Sequence, residues 1–250
     1  RAHAWSLMQQ NAHAVTRFIA PSKFYTDVMA KRLNLSPSAV AVVFNGLNFD
    51  AYERVRREPV QPTIGYLARM THSKGLTTLV DAYISLAKRG TVPGLRLRVA
   101  GAMTPADENY VRSLQTKLRD AGLADRVTWE PNLTFEQKAL FLHELTVFSV
   151  PATYGEAFGL YVAEAQACGT PVVLPRHGAF PEILAVTQGG TMCEPDNIEA
   201  LATALETLLH DEPKRRQMST IGKFHARAHF SSSRMAERFE NVLTALKHPA

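Results

Sequence analysis

Two carboxylates, Glu156 and Glu164, are separated by seven residues in "GEAFGLYVAEAQACGTPVV" and flank a glycine-containing turn that opens a helix. Glu156 follows the apolar run "VFSVP", so it belongs to a turn at the mouth of a crevice. Glu164 falls within the first two turns of a helix beginning near Gly159, which lets both acids face one pocket. The backbone N–H groups of Phe158, Gly159 and Leu160 lie at that helix N-terminus. Unpaired donors and the positive end of the helix dipole there suit anionic or hydroxyl oxygens, and Gly159 permits close approach. A carboxylate only accepts hydrogen bonds, so one acid suits the vicinal hydroxyls of a ribose and the other those of a sugar.

Upstream, "TIGYLARMTHSKGL" carries Arg69 and Lys74 in the turn between a buried strand and a helix. Arginine offers a planar fork and lysine a point charge, which together hold a diphosphate and stabilise negative charge developing on it. Plainer roles fit the same residues: two surface bases on a loop, an exposed turn acid, and an acid complementing a helix dipole.

The elements that position these residues follow from the hydropathy pattern. From Pro62 onward, short apolar runs at Thr63–Leu67, Leu95–Ala100, Val127–Glu130, Val147–Pro151 and Pro171–Leu174 alternate with longer helical patterns. That alternation predicts an α/β, Rossmann-like parallel sheet flanked by helices, with strands buried on both faces. Thr104-Pro105, Thr134–Gln137 and Asp196–Glu199 read as helix starts, and Gly90, Gly122 and Gly169 as helix ends. The last helices are expected over Ile198–Leu209, Pro213–Ala228 and Ser232–Lys247. Before Pro62 lie a strand in "AVTRFIAPS", a helix in "KFYTDVMAKRLNL" and a strand in "AVAVVFNG" that stops at an Asn-Gly turn. These are too little to bury a core alone. The charged connector "NFDAYERVRREPVQP" marks a boundary, with residues 1–50, 51–231 and 232–250 as the expected units.

Composition bounds the remaining choices. At 250 residues and 46 % hydrophobic content, the chain has ample material for a core and no apolar run long enough to cross a bilayer. Its start, "RAHAWSLMQQ", has neither an initiator Met nor a signal-peptide pattern, so a fragment lacking its upstream part is expected. Cys168 and Cys193 lack metal-ligand spacing and read as buried thiols in a reducing, cytoplasmic compartment. His13, His72, His143 and His177 are scattered and predict no metal site. The net charge of +5 is spread along the chain, with "KRR" at 214–216 read as a solvated helix face. Contact with an anionic membrane surface is the lesser reading, and nothing calls for nucleic acid. No G-x-S-x-G, G-x-G-x-x-G or G-x-x-x-x-G-K-[ST] motif occurs, which argues against hydrolase, dehydrogenase and P-loop chemistry.

Taken in order, "VVFNGLNFDAY", "YLARMTHSKGL", the Glu156–Glu164 pair with "AQACGTPVV", and "PEI" resemble the C-terminal domain of the family 4 glycosyltransferases, which have the GT-B fold. The similarity runs over roughly residues 15–245. It implies a retaining transfer of a sugar from a nucleotide-sugar donor, with no cofactor and no essential metal. By that resemblance Arg69 and Lys74 bind the donor diphosphate, Glu164 the ribose and Glu156 the sugar near its reacting carbon. The backbone of Phe158, Gly159 and Leu160 completes the cradle. Trp129-Glu130-Pro131, ending a strand, either lines the nucleobase pocket through backbone groups or is a plain strand terminus. Ala68 stands where the family often has glycine. The family's N-terminal domain and its acceptor site are largely absent, so this chain alone is expected to be inactive. A non-catalytic nucleotide-sugar-binding domain and a GT-B epimerase are the alternatives.

Overall fold

The structure, a computed structural model, describes residues 2–53 and 59–247. Most of the chain folds around one sheet of six parallel strands: β3 (Thr63–Leu67), β4 (Arg96–Gly101), β5 (Val127–Pro131), β6 (Val147–Phe148), β7 (Val172–Pro175) and β8 (Gly190–Cys193), in the order β5-β4-β3-β6-β7-β8. Helices α3 (Leu76–Arg89), α4 (Glu108–Asp120), α5 (Phe135–His143), α6 (Leu160–Ala167), α7 (Phe180–Thr187) and α8 (Ile198–His210) connect or flank the strands, followed by α9 (Glu212–Phe230) and α10 (Ser232–Lys247). Near-continuous apolar strands such as β3, every residue of which is buried, need cover on both faces, and the crossover helices supply it.

The strand order decides where a ligand can sit. From β3 the chain builds outward to β4 and β5, then returns to place β6, β7 and β8 on the other side of β3. Loops leaving the carboxyl ends of β3 and β6 therefore diverge and leave a crevice at the switch point. Arg69 and Lys74 are in the first loop and Glu156 is in the second.

A smaller unit precedes the sheet: α1 (Ala2–Asn11), β1 (Phe18–Ala20), α2 (Lys23–Leu33) and β2 (Val40–Val42), with β1 and β2 paired in parallel. Its α2 starts against the large unit. Ser22 caps the helix by accepting from the Tyr25 N–H, and Glu182 of α7 accepts from the N–H groups of Lys23 and Phe24 at 2.9 and 3.2 Å.

Several expectations need correction. No turn forms at Asn45-Gly46, and Gly46 has no positive φ. Glycine is needed there for space, because an added Cβ would stand 2.8 Å from the Ser232 Cα at the start of α10. β6 stops at Phe148 and not at Pro151, although Ser149 N–H still donates to the Gly65 carbonyl at 2.9 Å. β8 and α1 are additional elements. At α8 the cap is Asn197, whose side chain accepts from the Ala200 N–H, while Asp196 takes a left-handed conformation. The capping box at Thr134–Gln137 forms as read, and α3 ends at left-handed Gly90. Within the charged connector, residues 54–58 lie outside the described residues, as do 248–250 of the C-terminal segment.

Gly75 fixes the distance between the two crevice loops. Its φ is +75°, and an added Cβ would lie 1.7 Å from the Pro151 carbonyl oxygen. Beside it, Thr153 N–H donates to the Ser73 carbonyl at 3.0 Å. Gly75→Ala is therefore expected to cost about 2–4 kcal/mol in urea denaturation, since it combines left-handed strain with a backbone clash. Gly90→Ala, at φ +67° with nothing within 4 Å of the added carbon, should cost only about 1–2 kcal/mol.

Candidate functional site

Lys74 enters the crevice from the loop after β3, and its Nζ meets Oε2 of Glu156 at 2.5 Å. The hydroxyls of Tyr154 and Tyr161 donate to the same oxygen at 3.0 and 2.9 Å. The ammonium also lies 5.0 and 5.4 Å from the centres of the Tyr154 and Tyr161 rings. Burial pulls the Lys74 ammonium down, but its hydrogen bonds to Glu156 and Tyr154 and the Glu156 charge outweigh that and hold it above the ordinary lysine value. Burial first, and the Glu156 charge second, push the Tyr161 phenol well above its usual range, so it remains a donor.

The loop bearing Glu156 is held from three sides. Its carbonyl accepts from Ala179 N–H at 2.9 Å, Ser22 Oγ donates to the Ala157 carbonyl at 2.6 Å, and His177 Nε2 donates to the Ala152 carbonyl at 2.7 Å. His177 is thus a structural bridge between two loops.

Arg69 lines the neighbouring cleft, with a volume of about 520 Å3, together with Asn132, Leu133, Lys138, Tyr161 and Glu164. Its side chain is 55 % exposed, and its guanidinium lies 3.4 Å from Oδ1 of Asp107. The other Asp107 oxygen accepts from the Thr104 N–H and hydroxyl at 2.9 and 2.7 Å, closing the box that starts the turn before α4. The Thr104 hydroxyl, then its N–H, and to a smaller degree Arg69, hold the Asp107 carboxyl below its ordinary value.

Glu164 is buried on α6, where its Oε1 accepts from Tyr52 at 2.9 Å and from Lys138 of α5 at 2.6 Å. Leu160 begins α6 directly after Gly159, so the backbone N–H groups of Phe158, Gly159 and Leu160 stand ahead of the first helical bond, made by Val162 N–H to the Gly159 carbonyl. The Phe158 side chain faces the core and packs edge-on against Phe230, 5.2 Å between centres, leaving only its backbone for the crevice.

Arg69, Leu160 and Glu164 thus line one cleft, and Tyr161 joins it to the Lys74–Glu156 pair. Glu130 stands apart. Both its oxygens accept from Arg98, at 2.8 Å each, and from that strand end the cleft is lined by Asn132 and Leu133. The Asn132 side chain is itself occupied, donating to and accepting from the Met103 backbone. Tyr52, Lys138, Tyr154, Tyr161 and Asp107 were not anticipated. Tyr161 had a readable signal, since it lies three residues before Glu164 on one helix and hence on the same face. Lys138 had none, because packing decides which face of capped α5 turns inward.

In a parallel α/β sheet, ligands bind at the topological switch point, and here the bases and acids named above gather beside it. The chain belongs to the family described as glycosyl transferases group 1, whose family model matches residues 50–224. It is 30 % identical over 231 residues to the D-inositol 3-phosphate glycosyltransferase of Corynebacterium diphtheriae, covering 87 % of this chain and 53 % of that protein. The chain therefore spans about half the length of the curated relatives it matches. Its fold is shared with a glycosyltransferase from Rickettsia africae, with a TM-score of 0.84 at 17 % identity over 97 % of this chain and 68 % of that one. Alr3699/HepE of Anabaena, solved in complex with UDP-glucose, superposes with a TM-score of 0.80 at 19 % identity, covering 92 % and 64 %. The sheet and its helices are those of the C-terminal half of a GT-B fold. Among the described residues no helix is long and apolar enough to cross a membrane.

Asp107 gives the site a pH signature. A carboxyl whose folded value is depressed contributes stability above its unfolded pKa, about 3.9, and that contribution is lost as pH falls through the folded value. Asp107→Asn should therefore lower the melting temperature at pH 7, and its gap from the wild type should narrow as pH drops below about 4.

Proposed function

We propose that this chain is the donor-binding part of a retaining glycosyltransferase that takes a sugar from a nucleotide sugar. The observation carrying the reading is that Arg69 and Glu164 line one cleft at the switch point and Tyr161 joins that cleft to the adjoining Lys74–Glu156 pair. The donor diphosphate is bound by Arg69 and Lys74 and by the N–H groups of Phe158, Gly159 and Leu160. Glu164 takes the ribose, and Glu156 the sugar near its anomeric carbon. As the bond from that carbon to the leaving phosphate oxygen lengthens, positive charge grows on the sugar and negative charge on the nucleoside diphosphate. Lys74 and Arg69 stabilise the latter without reorganising. Family membership and the UDP-glucose complex of a structural neighbour support this assignment.

The Lys74–Glu156 pair also indicates how the donor enters. A diphosphate brings more negative charge to Lys74 than a carboxylate does, so it can replace Glu156 as the lysine's partner and release that acid toward the sugar.

Residues 1–50 are proposed to be the end of an upstream, acceptor-binding domain, to which α10 returns. On α10, Met235, Phe239, Leu243 and Leu246 are 38–45 % exposed at helical spacing, which supports a covering role. Donor and acceptor then meet in the cleft between the domains.

Lys74→Ala should weaken UDP, GDP or ADP binding by about 1.5–3 kcal/mol, and half-exposed Arg69→Ala by the lower end of that range, with little effect on the uncharged nucleoside. Calorimetry showing equal losses for nucleoside and nucleotide would assign both residues to folding. A second expectation concerns turnover: the 250-residue chain binds nucleoside diphosphate and transfers no sugar, whereas fusing the upstream domain restores transfer. Transfer by the chain alone would refute the division of labour.

A further inference from the structure

Glu164 is held by a residue from outside the large unit's sheet and helices. Tyr52 ends the single 3₁₀ turn Phe49–Tyr52 in the segment that joins the small unit to β3, yet it is only 1 % exposed. Three contacts fix it. His143 Nε2 donates to its carbonyl at 2.8 Å, its ring stands edge-on to Phe135 with 5.2 Å between centres, and its hydroxyl donates to Oε1 of Glu164 at 2.9 Å. Lys138 reaches the same Oε1 at 2.6 Å while its ammonium lies 5.6 Å from the centre of the Tyr52 ring, so the tyrosine supports both donors. Elsewhere the joining segment is anchored by Arg227 of α9, which pairs with Asp50 and Glu53.

Two donors, Tyr52 and Lys138, already hold Oε1 of Glu164. Oε2 accepts from none of the described residues and is the oxygen left for a ligand. A carboxylate with one oxygen pinned cannot rotate freely, so the direction of Oε2 depends on the donors at Oε1. We propose that Tyr52 is a positioning residue for the donor ribose: by holding Oε1 of Glu164 it presents Oε2 to the vicinal hydroxyls and makes ribose recognition depend on the joining segment. The inference rests on the assignment of Glu164 to the ribose. It adds that the two units communicate through this hydrogen bond, because a displacement of the segment at Tyr52 releases the carboxylate. Burial, and then the Glu164 charge, push the Tyr52 phenol upward, so it stays a donor throughout the working pH range.

The test is calorimetric binding of UDP, GDP and ADP, each against its 2′-deoxy counterpart, to the full chain and to Tyr52→Phe. Phenylalanine keeps the ring, its packing and Lys138, so the variant should melt close to the wild type. Its preference for ribose over 2′-deoxyribose should fall by about tenfold, the worth of one hydrogen bond to a charged group, while the 2′-deoxy nucleotide, which keeps only the 3′-hydroxyl, weakens much less. In a Glu164→Gln background the same change should have no further effect on the preference. Equal weakening of both nucleotides, an unchanged preference, or an additive effect with Glu164→Gln would overturn the role of Tyr52. A wild type that binds nucleotides without preferring ribose would instead remove the Glu164 assignment, and the inference with it.

Discussion

A single oxygen, Oε2 of Glu156, collects an ammonium and two phenols, and the shape of the crevice depends on that convergence. Lys74 comes from the loop after β3, Tyr154 from the loop after β6, and Tyr161 from the first turn of α6. Each loop left to itself would sample many conformations. Joined at one carboxylate, with Gly75 against Pro151 beneath them, they form one wall. The pair is weak evidence for stability, because removing both charges from water costs about what their attraction returns. Its value under the proposed function is that the bond is exchangeable: a nucleotide's phosphates offer Lys74 a better partner, so binding breaks an internal ion pair without leaving a buried charge alone.

This arrangement depends on topology as much as on side chains. Only because β6 returns to the far side of β3 do the two loops diverge enough to leave space for a ligand while their bases stay within reach of Lys74 and Glu156. The smaller unit takes part as well. Ser22 holds the loop carrying Glu156, Glu182 faces the start of α2, and Tyr52 holds Glu164. Residues from the small unit or the joining segment thus restrain both acids of the crevice.

How much of this the sequence disclosed follows from the range of each signal. Apolar and β-branched runs announce strands, so β3, β4 and β7 were legible nearly to their ends, and so was β5, an edge strand with no buried residue, through Val127-Thr128-Trp129. β8 was not, because "GTMC" begins on glycine and holds no apolar run. The places of Arg69, Lys74, Glu156 and Glu164 in the fold were legible because each lies in a turn after a strand or within the first two turns of a helix. Their partners were hidden by sequence distance: Tyr52 lies 112 residues from Glu164 and Lys138 lies 26. Asn45-Gly46 shows the opposite failure. A dipeptide that usually means a turn forms none here, and its glycine instead makes room for the start of helix α10, which no local rule could see.

The central claim is that the crevice binds a nucleoside diphosphate by exchanging it for Glu156 at Lys74. A crystal structure of the chain grown with UDP, GDP or ADP tests this most directly. The account predicts a β-phosphate oxygen within hydrogen-bond distance of the Lys74 ammonium and of the N–H groups at Gly159 and Leu160, with the Glu156 carboxylate moved off Lys74. A nucleotide bound with the Lys74–Glu156 bond intact and no phosphate at the start of α6 would contradict it.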